Sequence, residues 1–240
     1  MEQQYICIVG GSGGIGAAIV NQYAKLPNTS VVVIDQKPLA NESLAENVEL
    51  IQIDVTKVSE IISAAEGFQS RDVHFSHLIS LAGGALHNEW SKLELIPDQT
   101  IEDSIKLNLV SHILLTKYLM RPEDITTDRS IVFVSSINAL KSYHLTVYSA
   151  AKAGLLGLTR ELAGSLSPGI RVNAILPGTI ETPRTKKEPK DFDSLKRETL
   201  LERFAKPEDV AAACHFLTHL TDAITGAEIV VDAGQSISTK

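Results

Sequence analysis

Ile6-Cys7-Ile8-Val9-Gly10-Gly11-Ser12-Gly13-Gly14-Ile15-Gly16 runs straight into Ala17-Ala18-Ile19-Val20-Asn21-Gln22-Tyr23-Ala24. The four apolar residues read as a buried strand, and beyond the glycines the apolar positions return at helical spacing. A strand that turns through glycine into a helix builds an anion cradle. Glycine permits positive φ and close backbone approach, and the first N–H groups of the helix point outward unpaired. Any tight turn can use glycine, so the loop takes its meaning from the strand that comes after it. Ser30-Val31-Val32-Val33-Ile34 is that second strand and ends at Asp35, nineteen residues past Gly16. A carboxylate there suits hydrogen bonds from an adenosine ribose; a cap or turn residue is the other use of such an aspartate.

The same alternation continues to the C-terminus. Val48–Ile53, Phe75–Leu81, Ser130–Val134, Ile170–Ile175 and Glu228–Val231 read as further strands, separated by helical patterns. Seven strands alternating with helices predict an α/β fold, a doubly wound parallel seven-stranded sheet of the Rossmann type. Residues 98–119 read as one long helix with Ile101, Ile105, Leu109 and Ile113 along its apolar face. No linker, repeat or low-complexity run divides the chain, so residues 1–240 are expected to form a single domain.

Composition narrows the partners. With 240 residues and 44% hydrophobic content, the chain can bury one sizeable core. A net charge of −7 gives no reason to expect nucleic acid or an anionic membrane as a partner. No stretch reaches the roughly 18 apolar residues of a membrane span. Without a basic segment and a long apolar run at the start, no secretory leader is expected. Cys7 and Cys214 are the only cysteines; both fall in apolar stretches, as buried free thiols of a reducing, cytoplasmic compartment would. His215 and His219 are four apart with Phe216 after the first, which fails the zinc-protease pattern, and no metal is expected.

Tyr148 and Lys152 are four residues apart. On a helix that spacing puts both side chains on one face. A phenol with an ordinary pKa of about 10 is a poor acid or base near neutrality, and an ammonium beside it favours the phenolate. A solvated helix face produces the same spacing. Asn108 lies inside the long helix, where asparagine is a mediocre helix former and serves a kink or an interhelical hydrogen bond as readily as chemistry. Asp35, the Ser80–Gly83 turn, Ser136 and Pro177-Gly178 all follow strands, so they converge at the carboxyl ends where such sheets bind ligands.

Taken in order, these segments resemble the short-chain dehydrogenase/reductase family over nearly the whole chain. The family's glycine motif, Thr-Gly-x-x-x-Gly-x-Gly, corresponds to Val9 through Gly16, and its active-site tetrad to Asn108, Ser136, Tyr148 and Lys152. Arg171-Val172-Asn173-Ala174-Ile175-Leu176-Pro177-Gly178 with Thr182-Pro183 resembles the segment that closes over the nicotinamide. Residues 206–211 and 224–234 match the family's last helix and strand. Two segments depart from the pattern: Val9 stands where the family has threonine, and Ser80-Leu81-Ala82-Gly83 replaces Asn-Asn-Ala-Gly. Ser136 precedes Tyr148 by twelve residues, where thirteen is usual, and Ser135 restores the usual distance.

The resemblance implies NAD as cofactor, with NADP disfavoured, held by Gly10, Ser12, Gly13, Gly14, Ile15, Gly16, Asp35, Asp54, Val55, Ala82, Gly83, Tyr148, Lys152, Pro177, Gly178 and Thr182. Asp54 is equally a turn-capping residue. The implied reaction is hydride transfer between nicotinamide and an alcohol or carbonyl carbon. In it Tyr148 moves the proton, Ser136 binds the substrate oxygen, Lys152 holds the ribose and lowers the phenol pKa, and Asn108 positions a relay water. It also implies a homo-oligomer, a tetramer or dimer, for which Ala150, Ala151, Ala153, Gly154 and Gly157 permit close packing, as they equally do inside one subunit. Residues 184–198 correspond to the family's flap over the substrate, and their surplus of Lys and Arg suits either a solvated loop or an anionic substrate. Rival readings are a 3-oxoacyl thioester reductase, a regulatory protein that binds cofactor without turnover, and a sugar-nucleotide epimerase. The last normally needs a longer chain.

Overall fold

The structure is a computed structural model and describes residues 3–38, 45–121, 129–182 and 192–239. Its centre is one parallel sheet of β1 (Gln4–Val9), β2 (Thr29–Asp35), β3 (Val48–Gln52), β4 (Phe75–Ser80), β5 (Arg129–Val134), β6 (Ile170–Pro177) and β7 (Glu228–Val231). The strand order is β3-β2-β1-β4-β5-β6-β7. The chain winds outward from β1 to β3 and then crosses back to lay β4 on the other side of β1. The order therefore reverses between β1 and β4, and a crevice opens beyond their carboxyl ends. Val9 pairs with Ile34 on one side and Ser80 on the other, so three loops leave the sheet at one level.

Period-2 alternation divides the core between two layers. Ile6 and Ile8 pack with α1 (Gly14–Tyr23) and α7 (Pro207–His215) through Ile19, Val20, Tyr23, Val210 and Cys214. Cys7 and Val9 face the opposite layer, meeting α2 (Val58–Ser70) and α4 (Ser111–Leu119) through Ile61, Phe68, Leu115 and Leu119. β4 and β5 are buried along their whole length, including their polar members Ser76, His77, Ser80, Arg129 and Ser130. The two thiols lie in different layers, and burial raises both pKa values. No helix among the described residues is long and apolar enough to cross a membrane.

The long helix forms but is not uniform. It runs as α3 (Asp98–Ile105), a π turn over Lys106–Val110, and α4. The expected apolar face is not the buried one. Ser104, Asn108, Ser111, His112, Leu115 and Leu119 face inward, while Ile113 is 42% exposed and Ile101 and Ile105 are half-buried. The π turn inserts a residue into the helical ladder and rotates one half against the other. The inward side of the first half is polar because it holds a loop. Leu109 instead meets α5 (Thr146–Ser165): a Cβ added at Gly154 would come within 2.8 Å of it.

Candidate active site

A cleft of about 1010 Å³ opens at the carboxyl ends of the strands. Gly10, Ser12, Gly13, Gly14, Ile15, Gly16, Asp35, Asp54, Val55, Ala82, Gly83, Ser136, Tyr148, Gly178 and Thr182 all line it. Of the residues expected there, Asn108, Lys152 and Pro177 stand behind the wall, and all three are buried.

The glycine loop is held by contact. Gly10 has φ +92°, and a Cβ on it would lie 2.9 Å from the Ala82 nitrogen; one on Gly16 would lie 2.1 Å from the Gly10 carbonyl oxygen. Side chains at either place would push the loop off the sheet. α1 begins at Gly13 with no side-chain cap and no acidic residue in its first turn, so its first N–H groups are left for an outside acceptor. The Asp35 carboxylate at the end of β2 accepts from the Ser12 N–H (3.0 Å) and the Lys37 N–H (3.0 Å), which fixes it at the cleft edge. Asp54 accepts from the Thr56 N–H (2.9 Å) and hydroxyl (2.7 Å), so it both caps its turn and faces the cleft.

On the far wall, α5 carries Tyr148 at the surface of the cleft and Lys152 one turn deeper. The Lys152 ammonium sits 5.7 Å from the centre of the Tyr148 ring and donates to the Val134 carbonyl (3.0 Å). Lys152 is 3% exposed, and burial lowers its pKa to about 8. Asn108 is wholly buried, and its side chain clamps the turn after β4. Its Oδ1 accepts from the Gly84 N–H (2.8 Å), and its Nδ2 donates to the carbonyls of Gly84 (3.1 Å) and Ser104 (3.1 Å). Gly83 has φ +144°, and a Cβ there would strike the Asn108 Oδ1 at 2.5 Å. The two adjacent serines point apart. Ser136 lines the cleft and caps a short turn, its hydroxyl meeting Asn138 Oδ1 (3.0 Å); Ser135 donates to the Lys152 carbonyl (2.8 Å), away from the cleft.

A family model described as "Enoyl-(Acyl carrier protein) reductase" matches residues 10–236. The chain belongs to the short-chain dehydrogenase/reductase family. It is similar to the probable galactose dehydrogenase GalD of Rhizobium meliloti, with 30% identity over 98% of this chain and 95% of that protein. The 3-oxoacyl-[acyl-carrier-protein] reductase of Mus musculus is 31% identical over 97% of this chain and 98% of its own. Among solved structures, a short chain dehydrogenase from Leptospira borgpetersenii with bound NAD+ superposes with a TM-score of 0.89 at 26% identity, covering 98% of this chain and 94% of that one. This chain is an oxidoreductase of that family.

Against the family pattern, the two departures have a local repair. Val9 offers Leu81 only backbone, and the Leu81 N–H donates to the Val9 carbonyl (3.0 Å). Ser80 turns instead to His112 of α4, 2.7 Å away. His112 is fully buried, and desolvation, with the Lys152 charge nearby, holds its pKa down to about 3, so it serves as a neutral hydrogen-bond partner. Of the small residues on α5, Ala151 and Gly154 pack within the subunit, whereas Ala150, Ala153 and Gly157 are exposed. In the flap, residues 184–191 lie outside the described residues; α6 (Phe192–Arg197) and Glu198 follow, with Leu195 and Glu198 on the cleft wall. Sequence reasoning missed Trp90, Asn138, Tyr143 and Gln235, which also line the cleft. None sits in a periodic pattern. Gln235 secures the loop after β6 by accepting from the Thr179 N–H (2.8 Å). Among the described residues no His, Cys, Asp or Glu cluster could hold a metal ion.

Proposed function

We propose that this oxidoreductase uses NAD to interconvert a small alcohol and its carbonyl compound, with residues 1–240 acting as one domain. The observation that carries the reading is Tyr148 in the cleft wall with the buried Lys152 ammonium against its ring. The uncapped start of α1, the close-fitting glycines and the fixed Asp35 carboxylate fit the pyrophosphate and ribose of a dinucleotide. Bound there, nicotinamide supplies a two-electron hydride acceptor or donor.

The chain's own residues then have defined tasks. Tyr148 Oη takes the proton of the alcohol on oxidation and returns it on reduction. Ser136 Oγ turns its proton from Asn138 Oδ1 to the substrate oxygen and stabilises the charge that builds there. Lys152 favours the phenolate electrostatically and reaches the ribose. Asn108, with its side chain committed to Gly84 and Ser104, positions a relay water through its backbone and keeps the Gly83–Gly84 turn in place. The exposed Ala150, Ala153 and Gly157 suit packing against a second copy in a dimer or tetramer. The experiment is a panel of sugars, simple alcohols and 3-oxoacyl thioesters, assayed at the reduced-nicotinamide absorbance band. Turnover of sugars follows the GalD likeness, and turnover of thioesters alone favours the 3-oxoacyl reductase reading that the mouse relative supports.

Cofactor choice is expected to follow Asp35. A 2′-phosphate would meet this carboxylate, and residues 10–16 contain no Lys or Arg to neutralise it; Lys37, on the cleft wall, is the one nearby cation among the described residues to set against the repulsion. Like charges in contact cost on the order of 2–3 kcal/mol, so NAD should exceed NADP in kcat/KM by roughly 30- to 150-fold. Asp35→Ala should close most of that gap, and equal efficiencies in the parent would refute the assignment. For the serines, Ser136→Ala should lower kcat by about 10²-fold, in the range of losing one oxyanion donor, while Ser135→Ala should lower it far less. The reverse order would move the substrate contact to Ser135.

A further inference from the structure

Glu89 lies in the turn His87–Trp90, directly before the tryptophan that lines the cleft, and it is fully buried. A buried carboxylate is costly unless something faces it. Neither oxygen completes a hydrogen bond of ordinary geometry. The polar groups turned toward it are the Ser104 hydroxyl and the backbone N–H groups of Leu86 and Tyr148; they favour the charged form, but burial outweighs them and raises the Glu89 pKa. Its place in the fold gives it a partner of another kind. α5 is 20 residues long, starts at Leu145 without a side-chain cap and has no acidic residue in its first turn. The first N–H bonded within the helix is that of Ser149, to the Leu145 carbonyl (2.8 Å), so the N–H groups of Thr146, Val147 and Tyr148 lie outside the helical ladder. Glu89 brings acceptor oxygens to face that helix end from elsewhere in the chain. On its other side Ser104 is 3.3 Å from Asn108 Nδ2.

We infer that Glu89 is a positioning residue, a cap in space for α5 that fixes the first helical turn and with it the phenol of Tyr148 relative to Asn108 and the cleft. The inference rests on the proposed role of Tyr148 for its kinetic arm only. Replacing a merely buried carboxylate by an apolar residue of similar size should leave function intact and raise stability. A positioning role gives the opposite pattern, because small displacements of a reacting group cost turnover.

The test compares Glu89→Gln, Glu89→Met and Glu89→Asp with the parent by amide hydrogen exchange over residues 145–152, by kcat on the best substrate, and by NADH affinity. Energy transfer from Trp90, the sole tryptophan, reports that affinity. Glu89→Gln keeps an oxygen facing the Tyr148 N–H and is expected to stay within about threefold in exchange and kcat. Glu89→Met should exchange at least about tenfold faster at the start of α5 and lose about tenfold or more in kcat, with NADH affinity within about twofold. Glu89→Asp, which keeps the charge but withdraws it by one methylene, should lose turnover in the same direction; it decides the matter should Glu89→Met not fold by circular dichroism. Parent-like exchange or parent-like kcat in a folded Met variant, or in the Asp variant, overturns the inference. Absence of turnover in the parent would count against the proposed reaction alone, leaving hydrogen exchange to judge Glu89.

Discussion

Tyr148→Phe is expected to lower kcat by about 10²–10⁴-fold, the range carried by a positioned acid or base, with NAD affinity within about twofold of the parent. The change removes one oxygen. The ring keeps its place over Lys152, and the glycine loop, Asp35 and the start of α1 are untouched. Loss confined to kcat identifies an interaction made in the transition state rather than in binding. Residual turnover above about a tenth of the parent would take the proton from Tyr148 and leave it as a wall residue.

Lys152→Met is expected to damage binding and chemistry together, because the lysine is assigned both a ribose contact and the field on the phenol. The alkaline limb of oxidation should move up toward the ordinary phenol value of about 10. Stability should move the other way. Burial lowers the Lys152 pKa from 10.5 to about 8. Between these values the unfolded chain binds more protons than the folded one, so stability rises with pH from about 8 to about 10.5. Below pH 8 the cost of burying the ammonium is fully present, on the order of 3 kcal/mol, offset by about 1 kcal/mol for its bond to Val134. The Met variant should therefore melt at or above the parent at pH 7, with an advantage that shrinks as pH climbs past 8. A variant that melts well below the parent at pH 7, or that keeps the parent pH–rate profile, contradicts this account of Lys152.

Much of the scaffold could be read from the chain because its signals are local. Seven strands fell where apolar runs met turn residues, with ends shifted by one or two positions, as at β1 and β6. Asp35 was legible because one crossover of ordinary length fixes where the second strand ends relative to the glycine loop. What escaped depends on contacts distant in sequence. The face of the long helix came out wrong because its inward side is polar from Ser104 on, with Asn108 bonded to Gly84 and Ser104, and a π turn then interrupts the helical period. Tyr148 and Lys152 showed their shared face but not their different depths, one on the cleft and one 3% exposed behind it. Trp90, Asn138 and Gln235 sit in irregular turns, where no period marks an inward side chain. Ser136 and Ser135 are neighbours whose opposite directions follow from the alternation at the end of β5 and from the Lys152 carbonyl that claims Ser135.

The most direct measurement pairs binding with redox on one sample. NADH binding is followed by energy transfer from Trp90, and NAD reduction by the reduced-nicotinamide absorbance across the alcohol and sugar panel. The account predicts saturable binding together with substrate-dependent NAD reduction that vanishes in Tyr148→Phe while binding persists. Saturable binding with no redox change for any alcohol, sugar or thioester, in either direction, would contradict it and make the chain a cofactor-binding protein without turnover.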